Sequence, residues 1–195
     1  MTTSIDFYFD FGSPTAYVAY RRLQQLRSQY QCQINYRPVL LGGLFKATGN
    51  TSPVMVAAKA AYIMKQDLPR FVELYNVPFN NNPHFPINTL HLMRGAVALL
   101  EQDQFGPYIE TVFEASWVNG ENMGDAETVA NVLTNAGLDA QHIIANTQEP
   151  EVKAALISHT EAAVARGCFG APTMFIGDDM FFGQDRMQFI EMALQ

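Results

Sequence analysis

Ser13 is the side chain whose neighbours best equip it for chemistry. It closes the run IDFYFDFGSP, in which residues 5–11 are apolar and aromatic apart from Asp6 and Asp10, the pattern of a short, mostly buried strand. Gly12 permits a sharp turn, Ser13 stands where a helix N-cap belongs, and Pro14 takes the first helical position. Tyr17, Ala19, Tyr20, Leu23 and Leu26 then recur at helical spacing. A strand that enters a helix through a tight turn gathers a hydroxyl and the free N–H groups of the first turn at one spot. That spot suits an anion: a thiolate, a carboxylate or a phosphate. Ser-Pro also makes an ordinary helix start, so the far end of the chain matters. There Gly170-Ala171-Pro172-Thr173 leads into a second apolar run.

The other chemistry-bearing residues give less. Cys32 and Cys168 form no CxxC pair, and without an export signal reduced thiols are expected. His84 and His91 flank the HFPIN segment, with no third ligand at metal spacing, so no metal site is predicted. Net charge is −7 in 195 residues, which argues against a nucleic-acid partner held through phosphates. No stretch reaches the apolar length of a membrane span. The expectation is a cytoplasmic enzyme.

The elements follow from pattern. Residues 33–39 alternate and predict a second strand parallel to the first. Residues 40–45 are apolar around Gly42-Gly43, and 47–53 read as a loop. Residues 54–74 are helical with a break near Asp67, since Pro69 follows. The Asn- and Pro-rich segment 76–88 must be an irregular connection. Helices are predicted over 89–102, 105–118, 125–135, 139–146 and 150–165. Two short strands, 173–176 and 180–182, flank Gly177-Asp178-Asp179 as a hairpin, before a terminal helix that Asp185 could cap. The fold class is α/β, a thioredoxin-like fold with a large all-helical insertion. Residues 1–45 and 166–195 would form the thioredoxin-like domain and 46–165 the helical insertion domain.

Several separated motifs can be taken together: FYFDFGSPTAY, GNTSP followed by Lys59, Tyr62, Asp67 and Arg70, then YNVPF with HFPINTLHLMRGAV, and FGAPTMFIGDDMFFGQDRM. With them the chain resembles the glutathione-dependent 2-hydroxychromene-2-carboxylate isomerases, relatives of kappa-class glutathione transferases and, more distantly, of DsbA-type oxidoreductases. The resemblance implies that Pro172 is cis and faces the first helix, and that Ser13 hydrogen-bonds the glutathione sulfur. It implies further glutathione contacts from Asn50, Lys59, Ala171 with Pro172, and Asp185 flanked by Gln184 and Arg186. From the residues alone, Lys59 reads equally as a solvated helix lysine, Asn50 as a turn former and Asp185 as an N-cap.

Tyr62, Asn82, Phe85 and Asn88 are candidates for the acceptor pocket, and Arg94, like Tyr62, for a substrate carboxylate. Trp117 reads as core. The implied partner is a small aromatic carboxylate, and a homodimer is expected. A kappa-like transferase, a thiol–disulfide oxidoreductase and a binding module without chemistry are the alternatives. The slot Ser13-Pro14-Thr15-Ala16 lacks the CxxC that dithiol exchange needs.

Overall fold

The computed structural model describes residues 3–195. Strand β1 (Ser4–Phe9) is buried along most of its length and sits inside the sheet, which explains its near-continuous apolar run. Helix α1 (Pro14–Tyr30) leads from it to β2 (Gln33–Pro38), which pairs parallel to β1 with Phe7 opposite Tyr36. The first helix ends on Gln31 in a left-handed conformation.

The next segment departs from the sequence reading. Leu41–Thr48 is a helix, α2, and not an apolar stretch running into a loop at Ala47. Gly42-Gly43 weakens any local helical signal, so tertiary contacts hold it. The Leu41 N–H donates to the Asp10 carboxylate at 2.8 Å, the Leu40 N–H donates to Thr160 Oγ1 at 3.1 Å, and Gly43 lies against the Thr160 methyl. Gly49, at φ 66°, ends it.

Beyond a turn at Pro53–Met55 come α3 (Ala57–Tyr62), a wide π-helical turn (Ile63–Asp67) and α4 (Leu68–Leu74). The break expected near Asp67 is this π turn, a feature that often marks functional sites. An irregular connection then leads to α5 (Leu90–Leu99), α6 (Phe105–Trp117), α7 (Ala126–Asn135), α8 (Ala140–Asn146) and α9 (Pro150–Ala165).

Strands β3 (Thr173–Ile176) and β4 (Asp179–Phe182) complete a sheet of order β2-β1-β3-β4, with β3 antiparallel to both β1 and β4. The terminal helix α10 (Met187–Ala193) follows a turn at Gln184–Arg186. Asp185 does not cap it: that carboxylate is taken by Arg186 at 2.5 Å. The molecule is thus a thioredoxin-like α/β fold whose helical insertion packs on the sheet.

An aromatic core joins the two. Phe9, Phe11, Tyr17 and Tyr20 cluster round Phe113, with Phe11 and Phe113 4.8 Å apart between ring centroids, and Tyr108 meets Phe11 edge-on. Such pairs contribute about 0.5–1.5 kcal/mol each beyond their burial. They fix α6 against β1 and α1, and so fix where α1 begins.

Candidate functional site

The N-terminus of α1 is built as its sequence dictates. Ser13 has extended backbone angles, and its Oγ accepts the Ala16 N–H at 3.1 Å. The Tyr17 N–H bonds to the Ser13 carbonyl, and Pro14 has no N–H. The same hydroxyl donates to the Ala171 carbonyl at 3.0 Å and lies 2.9 Å from Thr15 Oγ1. A hydroxyl carries one proton. While Ser13 donates to Ala171, the Thr15 hydroxyl must therefore donate to Ser13. Ala171–Pro172 is a cis peptide, so the loop entering β3 faces the helix end across a single hydrogen bond.

Beneath the turn lies Asp10, which is 1% exposed. Its Oδ1 accepts from the Gly12 N–H at 2.8 Å and the Thr89 hydroxyl at 2.7 Å, and its Oδ2 from Leu41. One carboxyl thus ties together the Ser13 turn and the starts of α2 and α5. Burial pushes its pKa up, against the downward pull of these hydrogen bonds. A raised folded pKa means that the folded chain holds the proton more tightly than the unfolded one. The associated stability is fully present below the unfolded pKa and is lost as pH rises through the folded one. Asp10→Asn should remove that dependence. In urea titrations the variant should gain on the wild type as pH climbs from the ordinary carboxylate range toward neutrality. A difference that stays flat with pH would contradict this.

The cleft at Ser13 has a volume of about 240 Å³. Of the residues singled out from sequence, Asn50, Phe85, Ala171, Pro172, Gln184 and Asp185 line it with Ser13. Asn50 braces its own loop: its amide donates to the Phe169 carbonyl at 3.0 Å, and its Oδ1 accepts the Thr51 N–H. Gln184 donates to Asp67 at 3.1 Å, and Arg186 reaches the site through Asp185. Lys59 is exposed and Tyr62 half exposed, both on α3 outside the lining.

Asn82 and Asn88 are not brought to the cleft. Asn82 is buried, donating to the Ser116 and Glu121 carbonyls and accepting from the His84 N–H. Asn88 accepts the Leu90 N–H at the start of α5. Both serve the backbone of their loop. Arg94 is also outside, in a different cavity. Sequence reasoning missed Thr15, Leu41 and Phe45, and left Asp67 without a role; all four line the cleft. A hydroxyl two residues after the N-cap was the available signal for Thr15. Leu41 and Phe45 were hidden because α2 was.

Comparison with known proteins places this arrangement. Residues 4–195 match the DSBA-like thioredoxin domain. The 2-hydroxychromene-2-carboxylate isomerase of Sphingobium xenophagum is 31% identical over 195 residues, covering 100% of this chain and 99% of that protein. The chain belongs to the 2-hydroxychromene-2-carboxylate isomerase family. A crystallised member of the family, a selenomethionine 2-hydroxychromene-2-carboxylate isomerase, superposes with a TM-score of 0.88 at 32% identity, covering 98% of this chain and 94% of that one. Glutathione S-transferase kappa 1 of Rattus norvegicus is 27% identical over 204 residues, covering 97% and 90%.

This isomerase-family chain brings no thiol of its own to the helix end. Cys168 is 1% exposed, and burial pushes its pKa up to about 11. Cys32 is likewise buried, with its pKa raised chiefly by desolvation. Only the thiolate is nucleophilic. Iodoacetamide at neutral pH should therefore label neither cysteine in the native protein and both in urea. Fast native labelling of Cys168 would contradict this and revive a disulfide chemistry.

Proposed function

We propose that the chain is a glutathione-dependent isomerase acting on 2-hydroxychromene-2-carboxylate and trans-o-hydroxybenzylidenepyruvate, or on a related aromatic-degradation intermediate. The observation that carries this reading is the Ser13 hydroxyl, held at the α1 N-terminus by its hydrogen bond to the Ala171 carbonyl and lining the cleft, where DsbA-type chains place cysteine. A site shaped for sulfur but lacking it fits a thiol brought in by a ligand. The names of two relatives support the substrate class.

The residues present fit glutathione. The Ala171 carbonyl, released when Ser13 turns away, offers a strand-like edge to a peptide. The Asp185 carboxylate, beside Arg186, suits an ammonium, and Asn50 lines the same cleft. Lys59, further out on α3, is assigned to a carboxylate end. Bound glutathione would supply a thiolate able to add to a conjugated system and leave again, so that none is consumed. The part of Ser13 is to turn its O–H from Ala171 toward the sulfur, while Thr15 keeps the serine oriented. A free thiol has a pKa of about 8.5, and lowering it by one to two units takes roughly 1.4–2.7 kcal/mol. A charge-assisted hydrogen bond and a helix N-terminus together supply that range. Phe45, Phe85 and Phe182 give the cleft apolar walls against which a planar aromatic acid would lie.

The test is the ultraviolet absorbance of thiolate when glutathione is added to the protein across pH. The reading expects a bound-thiol pKa well below that of free glutathione. No thiolate signal at saturating glutathione would overturn it. The rat kappa transferase match favours one alternative, conjugation of small electrophiles at the same Ser13 site, which consumes glutathione. A homodimer belongs to the reading, supported by Met55, Val56 and Tyr62 standing exposed beside the cleft; light scattering tests it. A reducing cytoplasm fits the two unpaired cysteines.

A further inference from the structure

A cavity larger than the one at Ser13 is found elsewhere in the molecule. It lies on the other side of α2, between α2, α5 and α9, with a volume of about 610 Å³, within the range of small-molecule pockets. Helix α2 is the wall between the two. Leu41 and Phe45 face the Ser13 cleft, while Gly43, Lys46 and Ala47 face this groove.

The groove combines an apolar body with a cationic rim. Leu90, Leu156, Ile157 and Val164 line it, and Ile157 is 59% exposed although isoleucine gains by burial. Lys46, Arg94 and Lys153 also line it, against a single acid, Glu161. Three of the chain's 12 lysines and arginines therefore gather in one groove of a protein whose net charge is −7. Among the described residues, none of these four charged side chains is in an ion pair. Arg94 goes further: its Nε is buried without a hydrogen-bond partner. A buried donor one bond short is rare in native structures, and a guanidinium fork is matched by a carboxylate.

We propose that this groove is a second binding site, for an amphipathic organic carboxylate whose hydrocarbon body lies along α9 and whose acid group meets Arg94 and Lys153. It is separate from the Ser13 cleft, and Arg94 has its role here.

Calorimetric titration with octanoate, with glutathione kept saturating, tests the proposal. One octanoate should bind per chain, equally in wild type and in Ser13→Ala. Octan-1-ol, which has the same tail and no charge, should bind at least about tenfold more weakly, as should octanoate to Arg94→Met. Ile157→Glu, at an exposed position, adds a repelling acid with little risk to folding and should also abolish binding. The proposal is overturned if octanol binds as well as octanoate, or if neither groove variant weakens octanoate. It is equally overturned if Ser13→Ala or rising glutathione removes binding, which would place the acid in the cleft. A wild type that binds no octanoate but dissociates from dimer to monomer on Ile157→Glu would make the groove a contact between copies of this chain instead.

Discussion

Ser13→Ala should lower glutathione-dependent turnover at neutral pH by about 10- to 100-fold, with the loss shrinking as pH rises. The thiolate is the reactive form, and each unit by which the bound-thiol pKa climbs removes about tenfold of it below that pKa, equivalent to 1.36 kcal/mol. Above the pKa of the unassisted thiol, wild type and variant should converge. The variant keeps the α1 terminus, so part of the thiolate stabilisation survives. It loses the hydroxyl that spans from Ala16 to Ala171. Steady-state rates across pH check this. An equal loss at every pH would show that Ser13 positions the site without tuning a thiol.

Trp117→Ala carries the largest expected cost to the fold, about 3–5 kcal/mol by urea unfolding. That is much of the 5–15 kcal/mol typical of a domain. Trp117 is 2% exposed, and its Nε1–H donates to the Phe11 carbonyl at 2.8 Å. Its ring stacks on Phe79, with centroids 6.0 Å apart and planes 9° apart, and meets Phe85 edge-on at 5.4 Å. Phe85 is a wall of the cleft, and Phe11 stands two residues before Ser13. The damage should therefore reach the site as well as the core. Trp117→Phe separates the terms: it keeps most of the packing, loses the hydrogen bond and should cost nearer 1–2 kcal/mol. A Trp117→Ala protein as stable as wild type would show that α6 is not what anchors the β1–α1 turn.

These two residues also show what could be read in advance. The β1–turn–α1 unit was legible because its signals are local: Gly12, Ser13 and Pro14 act within a few positions of one another. The helices after residue 89 were legible by apolar period. Helix α2 was not, because what holds it comes from Asp10 and Thr160, remote in sequence and silent in any local window. The same remoteness hid two faces of the cleft, Leu41 and Phe45, and the bracing role of Asp10. Asn82 and Asn88 are pocket candidates only through the resemblance, because the matching segment of the family lies near the acceptor pocket. Their hydrogen bonds satisfy the backbone of that irregular loop and of the neighbouring helix ends, as buried polar groups must. Arg94 was one candidate for a substrate carboxylate, with an ordinary packing or surface role equally open, and pattern gave no means of telling which side of α2 it would occupy.

On the proposed reading, a borrowed thiol turns over at Ser13 without being used up. The most direct measurement follows 2-hydroxychromene-2-carboxylate and free glutathione together, with and without glutathione in the reaction. Many isomerisation turnovers per glutathione are expected, with an unchanged glutathione concentration and no catalysis when it is left out. Isomerisation at full rate without glutathione, or its one-for-one loss into a conjugate, would rule out a borrowed thiol at Ser13.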